Sequence, residues 1–441
     1  MHIAMALRLD VPAQAVKLLP NLGPDTGLKS APAPNSGAGV RPSPGDYAVK
    51  PEDFGPPAPF GAQGSHTAKQ GESASSPRSA AQNSNSQPPT GFDGPVYGAL
   101  DLGTNNCRLL LARPSRRGFR VVDAFSRIIR LGEGVSQSGA LSELAMSRTL
   151  EALKVCAGKL ERHGVSRARM VATQACRVAG NGAEFISRVQ STTGLSLEIL
   201  TPETEAKLAV SGCATLVDPA ADYVLVFDIG GGSSEIIWLD LTQPAARRGT
   251  ANQRINADAA IVAWTSLPVG VVTLAERFDG RNVTPGSFEA MVSSVQDLLA
   301  PFEAAHTFRE RLNGRQVHLL GTSGTVTTIA GILLGLPRYD RNQVDGIWLK
   351  VPEIEQITGR LLGQTYDERI AEPCIGRERA DLVLAGCAIL EAILRLWPAE
   401  RLRVADRGLR EGILTTLMME DGVWRAGRRR RRGGRNQGRH G

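Results

Sequence analysis

Val226-Phe-Asp228-Ile-Gly230-Gly-Gly232-Ser-Ser-Glu235 ends an apolar run in an acid and then turns through three glycines. The chain says nearly the same thing earlier, at Tyr97-Gly-Ala-Leu-Asp101-Leu-Gly103-Thr-Asn-Asn106, with Asp101 and Asp228 127 residues apart. Each apolar run suits a buried strand. Glycine lacks a Cβ, so a turn built from it lets backbone N–H groups approach an anion closely. An Asp leaving such a strand can hold a hydrated Mg²⁺ beside that anion. One strand–Asp–Gly turn is a weak signal. Two at domain-sized spacing predict two related halves facing one phosphate chain.

A third turn, Leu319-Leu-Gly321-Thr-Ser-Gly324-Thr-Val326, leaves another apolar strand and opens a helix. Helix N-termini attract anions through unpaired N–H groups and the macrodipole. Around these turns, strands are expected at Cys107–Ala112, Arg120–Phe125, Arg169–Thr173, Leu195–Leu200, Tyr223–Phe227, Glu235–Leu239 and Ala260–Ser266. Helices are expected from Ser142 to Gly164, over Gly182–Thr192, from Thr201, near Gly286–Leu312, after Thr325, and over Glu378–Trp397, with a loop over 243–258. Helices between strands and a duplicated β-rich opening imply two α/β domains with a cleft, where ligands meet the strand ends. The expected boundaries are 95–219 for the first domain and 220–424 for the second.

The ends read differently. Residues 1–95 hold 15 of the 26 prolines with Ser, Gln, Asn and Gly filler, and their seven basic residues balance seven acidic ones. Such a stretch buries too little apolar surface to offset its ordering entropy, so residues 1–94 are expected to be disordered. The stretch Met5–Leu19 is too short and too weakly flanked for a secretory signal. At the other end, residues 425–441 carry eight arginines and no acid, five of them consecutive from Arg428. The formal net charge of +7 is therefore a property of this tail, which is also expected to be disordered. It could tether RNA or another polyanion, or be a solvated extension. The six cysteines show no CxxC pair or zinc spacing and read as reduced thiols of a cytoplasmic protein. No apolar run approaches the roughly 18–20 residues needed to cross a bilayer, so no membrane role is expected.

The three glycine turns with Asp101 and Asp228 resemble the actin, sugar kinase and heat-shock chaperone superfamily, whose domains are actin-like (ribonuclease H-like). Within it, Asp101-Leu-Gly-Thr-Asn105, Arg130-Leu-Gly-Glu-Gly134, Ala172-Thr-Gln-Ala-Cys-Arg177, Glu203-Thr-Glu205-Ala-Lys-Leu208, Asp228-Ile-Gly-Gly-Gly-Ser-Ser-Glu235, Gly321-Thr-Ser-Gly-Thr325 and Gly408-Leu-Arg-Glu-Gly412 occur in one order. Together they resemble the bacterial exopolyphosphatase/guanosine pentaphosphate phosphohydrolase (Ppx/GppA) family over residues 95–423.

The resemblance implies that Glu205 is the general base for an attacking water, with Glu203 secondary. Asp228 and Glu235 match acids assigned to Mg²⁺ (or Mn²⁺), and Asp101 could share the ion or cap its turn. Arg177 matches a phosphate-binding arginine. Gly103, Thr104 and Asn105, then Gly230, Gly231, Gly232 and Ser233, then Gly321, Thr322, Ser323 and Gly324, supply the phosphate cradle. The expected activity is hydrolysis of terminal phosphoanhydride bonds, foremost in inorganic polyphosphate and alternatively in guanosine pentaphosphate. Competing readings are an ATP-dependent kinase or chaperone, and a noncatalytic RNA-associated factor. Departures from the family pattern are Thr204 between the acids and Ala385-Gly386 where Pro-Gly is common. The further helical domains of long relatives, which build much of their dimer interface, are not in this sequence; a homodimer stays open.

If the tail tethers long substrate, removing residues 426–441 raises KM for long polyphosphate at low salt and leaves short chains and kcat unchanged. Neutralising several phosphates makes such binding fall roughly 10²–10⁴-fold over a fourfold rise in salt. Equal kinetics of long and short chains at low salt would dismiss the tether.

Overall fold

The computed structural model describes residues 94–116, 118–249 and 255–424. The expectations for residues 1–93 and for the arginine tail lie outside the described residues, as does part of the loop expected over 243–258.

Two sheets are built to one plan. The first holds β1 (Tyr97–Leu102), β2 (Asn106–Ser115), β3 (Gly118–Ile128), β4 (Arg167–Ala172) and β5 (Glu198–Ile199) in the order β3-β2-β1-β4-β5. The second holds β6 (Tyr223–Ile229), β7 (Ser234–Asp240), β8 (Ile261–Leu267), β9 (Val317–Thr322), β10 (Trp348–Lys350) and β11 (Arg401–Ala405) in the order β10-β11-β9-β6-β7-β8. In each, an antiparallel meander of three strands is followed by two parallel neighbours. β10 adds one antiparallel edge strand to the second sheet. The expected α/β class, two related actin-like (ribonuclease H-like) domains, is what the chain forms.

The central strands explain why both faces of each sheet are covered. In β6, Leu225 and Phe227 enter one apolar cluster while Val224 and Val226 enter another, as a side-chain period of two requires. In β1, Leu100 and Leu102 pack on one face, and Tyr97 and Ala99 on the other. That other face is covered by Ile413, Leu414, Leu417 and Met418 of the last helix, Leu409–Glu420. Tyr97 Oη also donates to Asp421 at 2.7 Å. A division at residue 219/220 therefore misses one crossing, because the last helix, assigned to the second half from sequence, packs on the first sheet.

The helix Pro202–Cys213 lies between the two sheets. Thr201 caps its N-terminus by accepting from Thr204 N, and Pro202 stands in its first turn. Ala206, Val210 and Cys213 pack with the second sheet, while Leu208 packs with the first sheet and the last helix. Backbones meet closely here: a Cβ on Gly412 would run into the carbonyl oxygen of Leu208, and one on Gly212 into that of Gly408.

Several element boundaries shift. The first long helix, Glu143–Arg162, is capped by Ser142 as expected. The strand expected over Leu195–Leu200 shrinks to Glu198–Ile199. The helix expected near Gly286–Leu312 ends at His306, where Thr307 takes a left-handed backbone (φ 49°), and a short helix Phe308–Arg311 follows. The helix expected from Glu378 begins at Val383. All six cysteines are buried and unbridged, and no described helix is long and apolar enough to cross a membrane.

An alanine normally favours a helix over glycine by roughly 0.5–1 kcal/mol. At Gly412 the sign reverses. Gly412→Ala is expected to destabilise by about 1–3 kcal/mol, the usual scale of overpacking, and to lower the melting temperature. A neutral or stabilising Gly412→Ala in a thermal melt would contradict the close packing of these two helices.

Candidate functional site

Each hairpin ends in an acid and closes with the same hydrogen bond. Gly103 N–H donates to Asn106 O and Gly230 N–H to Ser233 O, both at 2.9 Å. In the hairpin registers, Asp101 lies opposite Arg108 and Asp228 opposite Glu235. The two turns then meet face to face. A Cβ on Gly231 would come within 3.0 Å of Thr104 Cβ and 3.1 Å of Asn105 N, and one on Gly232 within 2.8 Å of Thr104 Oγ1. Glycine is required there by this approach.

The third turn is built by strain. Ser323, with φ 85° and ψ −176°, joins β9 to the helix Gly324–Leu333. A residue with a side chain in this region costs on the order of 1–3 kcal/mol and persists only where its surroundings enforce it. The Ser323 hydroxyl is buried without a hydrogen-bond partner among the described residues.

A cavity of about 130 Å³ opens between the turns. It brings together Asp101, Gly103, Thr104, Asn105, Glu205, Asp228, Gly230, Gly231, Gly232, Ser233, Glu235, Ser323 and Gly324. Three expected residues stand elsewhere. Gly321 is internal to β9, where a Cβ would press on the Phe227 ring at 2.7 Å, so it serves packing and not the cradle. Thr322 ends that strand, buried, on a smaller cavity behind the first. Arg177 does not line the main cavity. Its Nη1 donates to Glu205 Oε2 at 3.1 Å and to Leu200 O at 2.7 Å, and its Nη2 to Gln174 Oε1 at 2.6 Å.

Two cavity arginines escaped the sequence reading, Arg108 and Arg379. Arg108 follows Asp101 by the same seven positions that separate Glu235 from Asp228, so the duplication itself pointed to it. Arg379 carries no such signal, since it sits in the stretch expected to be helical. Neither makes a hydrogen bond or ion pair with a carboxylate among the described residues.

Four acids share this interior. Burial pushes the Glu205 carboxyl well above its ordinary range; the charge of Glu235 adds to the shift and Arg177 opposes it. Burial, then the charge of Asp228, raises Glu235 to about 7, against the hydroxyls of Ser233 and Ser266. Both hydroxyls donate to Glu235 Oε1, at 2.8 and 2.9 Å, leaving Oε2 without a protein donor among the described contacts. Asp101 and Asp228 are also raised by burial, with Arg108 and Arg410 pulling the other way.

Among the described residues, no three His, Cys, Asp or Glu side chains group closely enough to form a metal site on their own. Mg²⁺ keeps several waters and takes one or two carboxylates plus phosphate oxygens. Asp228 and Glu235, opposed in register with a free carboxylate oxygen at Glu235, could hold it; Asp101 faces the same cavity from the other turn.

The sequence model of the Ppx/GppA phosphatase family matches residues 111–421. The structure of the Ppx/GppA family member from Aquifex aeolicus is similar, at 26% identity and a TM-score of 0.59, covering 74% of this chain and 98% of that one. An exopolyphosphatase from Cytophaga hutchinsonii is similar over the same shares, at 26% identity and a TM-score of 0.63. An exopolyphosphatase-like protein matches at 26% identity with a TM-score of 0.60, covering 74% of this chain and 99% of that one.

Arg177 contacts the Glu205 carboxylate directly and is itself anchored by Leu200 O and Gln174. A lysine keeps the charge but cannot make the fork of contacts. Arg177→Lys is therefore expected to lower kcat about tenfold with KM little changed, the pattern of an interaction felt in the transition state. A raised KM at unchanged kcat would instead return Arg177 to phosphate binding.

Proposed function

The chain belongs to the Ppx/GppA phosphatase family, and on that footing we propose that this hydrolase removes the terminal phosphate of inorganic polyphosphate. The observation that carries the reading is the convergence of Glu205, Asp228 and Glu235 on one cavity walled by the three glycine turns. The similarity to an exopolyphosphatase from Cytophaga hutchinsonii supports the substrate. Guanosine pentaphosphate is the alternative substrate.

The residues divide the work. Backbone N–H groups at 104–105 and 231–233, and the helix N-terminus at Gly324, hold phosphoryl oxygens. Arg108 and Arg379 neutralise the rest of the chain's charge at the cavity wall. Glu205 takes a proton from the attacking water at its carboxylate, and its raised pKa makes it a stronger base than an exposed glutamate. Arg177 holds that carboxylate in place. Asp228 and Glu235 would hold Mg²⁺, which when bound stabilises the charge developing on the transferred phosphoryl group. Attack in line with the leaving oxygen then separates orthophosphate from the shortened chain.

Phosphate release is to be measured on polyphosphate of several lengths, guanosine pentaphosphate, ATP and nitrophenyl phosphate with Mg²⁺. Turnover of polyphosphate ahead of the others supports the proposal, preference for guanosine pentaphosphate selects the alternative, and transfer from ATP to an acceptor would replace both. Glu205→Gln is expected to lose about 10²–10⁴-fold in turnover, the usual worth of a general base. Near-normal turnover would remove Glu205 from that role. Asp228→Asn and Glu235→Gln are expected to raise the Mg²⁺ concentration required, and chelation to abolish activity reversibly. Unchanged metal dependence in both variants would sink the metal assignment.

A further inference from the structure

The motif Arg130-Leu-Gly-Glu-Gly134 contributes no side chain to the cavity, yet it is bonded to the back of one cavity turn and to segments that adjoin the opposite walls. Ile129 N–H and Arg130 N–H both donate to Asn105 O, at 2.8 and 3.1 Å, and Gly132 N–H donates to Thr104 O at 2.9 Å. The loop is thus bonded to the back of the first cradle turn. Arg148 Nη2 pins it further through Arg130 O at 3.1 Å.

From this loop two contacts reach the second half. The Arg130 guanidinium grips Asp381 with both terminal nitrogens, each at 2.9 Å, and Nη2 also reaches Glu378 O at 3.1 Å. Glu276 accepts from Gly134 N–H and from Ser136 Oγ, each at 2.8 Å. Both acceptors are anchored to the opposite wall. The helix Val271–Phe278, which carries Glu276, begins by donating Val271 and Val272 N–H to Gly230 O and Gly231 O, at 2.9 and 2.8 Å. Asp381 follows Arg379 by two residues, and Leu382 and Val383 N–H close onto Arg379 O at 2.9 and 3.0 Å.

Geometry also shows that the contact is enforced. Arg130 is held at φ 45°, a left-handed backbone that residues other than glycine seldom adopt. The pair is largely shielded, with side-chain exposures of 27% for Arg130 and 15% for Asp381, and a bidentate guanidinium–carboxylate contact fixes orientation as well as distance.

We infer that Arg130, Asp381 and Glu276 are positioning residues whose contacts set the spacing between the Thr104–Asn105 wall and the Gly230–Gly231 and Arg379 walls. The activity arm of the test rests on the phosphohydrolase reading; the exchange arm does not. A misplacement of about 1 Å at a reacting centre can cost on the order of 10²-fold in rate. Asp381→Asn and Arg130→Lys are each expected to lower kcat for polyphosphate about 10- to 100-fold with a smaller change in KM. The double variant is expected to be no worse than the poorer single one, because both remove one contact. Glu276→Gln, on the second contact, serves as the independent variant. Amide exchange read by mass spectrometry over residues 127–140 is expected to speed up in Asp381→Asn and Glu276→Gln, with the melting transition nearly kept. Wild-type kcat in both single variants, losses that add in the double, or unchanged exchange would each overturn the inference. If the wild-type protein releases no phosphate from polyphosphate or guanosine pentaphosphate, the functional reading fails, and the exchange arm still decides the role of these contacts.

Discussion

Everything in this molecule depends on how closely two glycine turns can stand. Thr104 and Asn105 on one hairpin press against Gly231 and Gly232 on the other, at distances that leave no room for a Cβ. This close approach sets backbone N–H groups of the turns beside acidic and basic side chains in one cavity, and such N–H groups can receive an anion. The same approach brings Asp101 and Asp228 into one cavity, because each lies two residues before the glycine that starts its turn. Tightness and chemistry therefore have one cause.

That cause carries an electrostatic penalty. Four carboxylates face one interior, and burial raises the pKa of each. Burying like charges together is unfavourable unless cations compensate. The chain supplies Arg177 to Glu205 directly, and Arg108 and Arg410 act on the aspartates over a longer range. Arg341 holds Glu411 at 2.6 Å just behind the site. Glu235 receives two hydroxyls and, over a longer range, the charge of Arg177.

Much of this was legible in the sequence, and the reasons differ by feature. The turns could be read because glycine and acid at fixed offsets from an apolar strand are local patterns. Glu205 was read through its place in the ordered motifs of the family resemblance, because an acid in the first turn of a helix is by itself an ordinary helix-dipole partner. What escaped reading was non-local. Nothing near Leu409–Glu420 says that this helix returns to the first sheet, since its apolar face would suit either half. Gly321 looked like a cradle glycine because its neighbours are, yet it is a packing glycine under Phe227. Arg177 was read by resemblance as a phosphate ligand, and its contacts with Glu205, Leu200 and Gln174 are set by a fold that the local sequence does not describe.

The crossing of the last helix ties these points together. Gly412 lets it lie directly on the helix that carries Glu205, and Glu411 caps its own N-terminus through Gly408 N–H at 2.9 Å while binding Arg341. The Glu205 helix is thereby held on one side by the second sheet and on the other by a segment 200 residues downstream. Packing from both sides fixes the helix that carries Glu205. The walls must then be registered to the helix, not the reverse, and the contacts of Arg130 and Glu276 do this by joining the two cradle turns to each other. A fixed base and a cradle of set width are separate requirements for in-line attack, and this chain meets them with separate motifs.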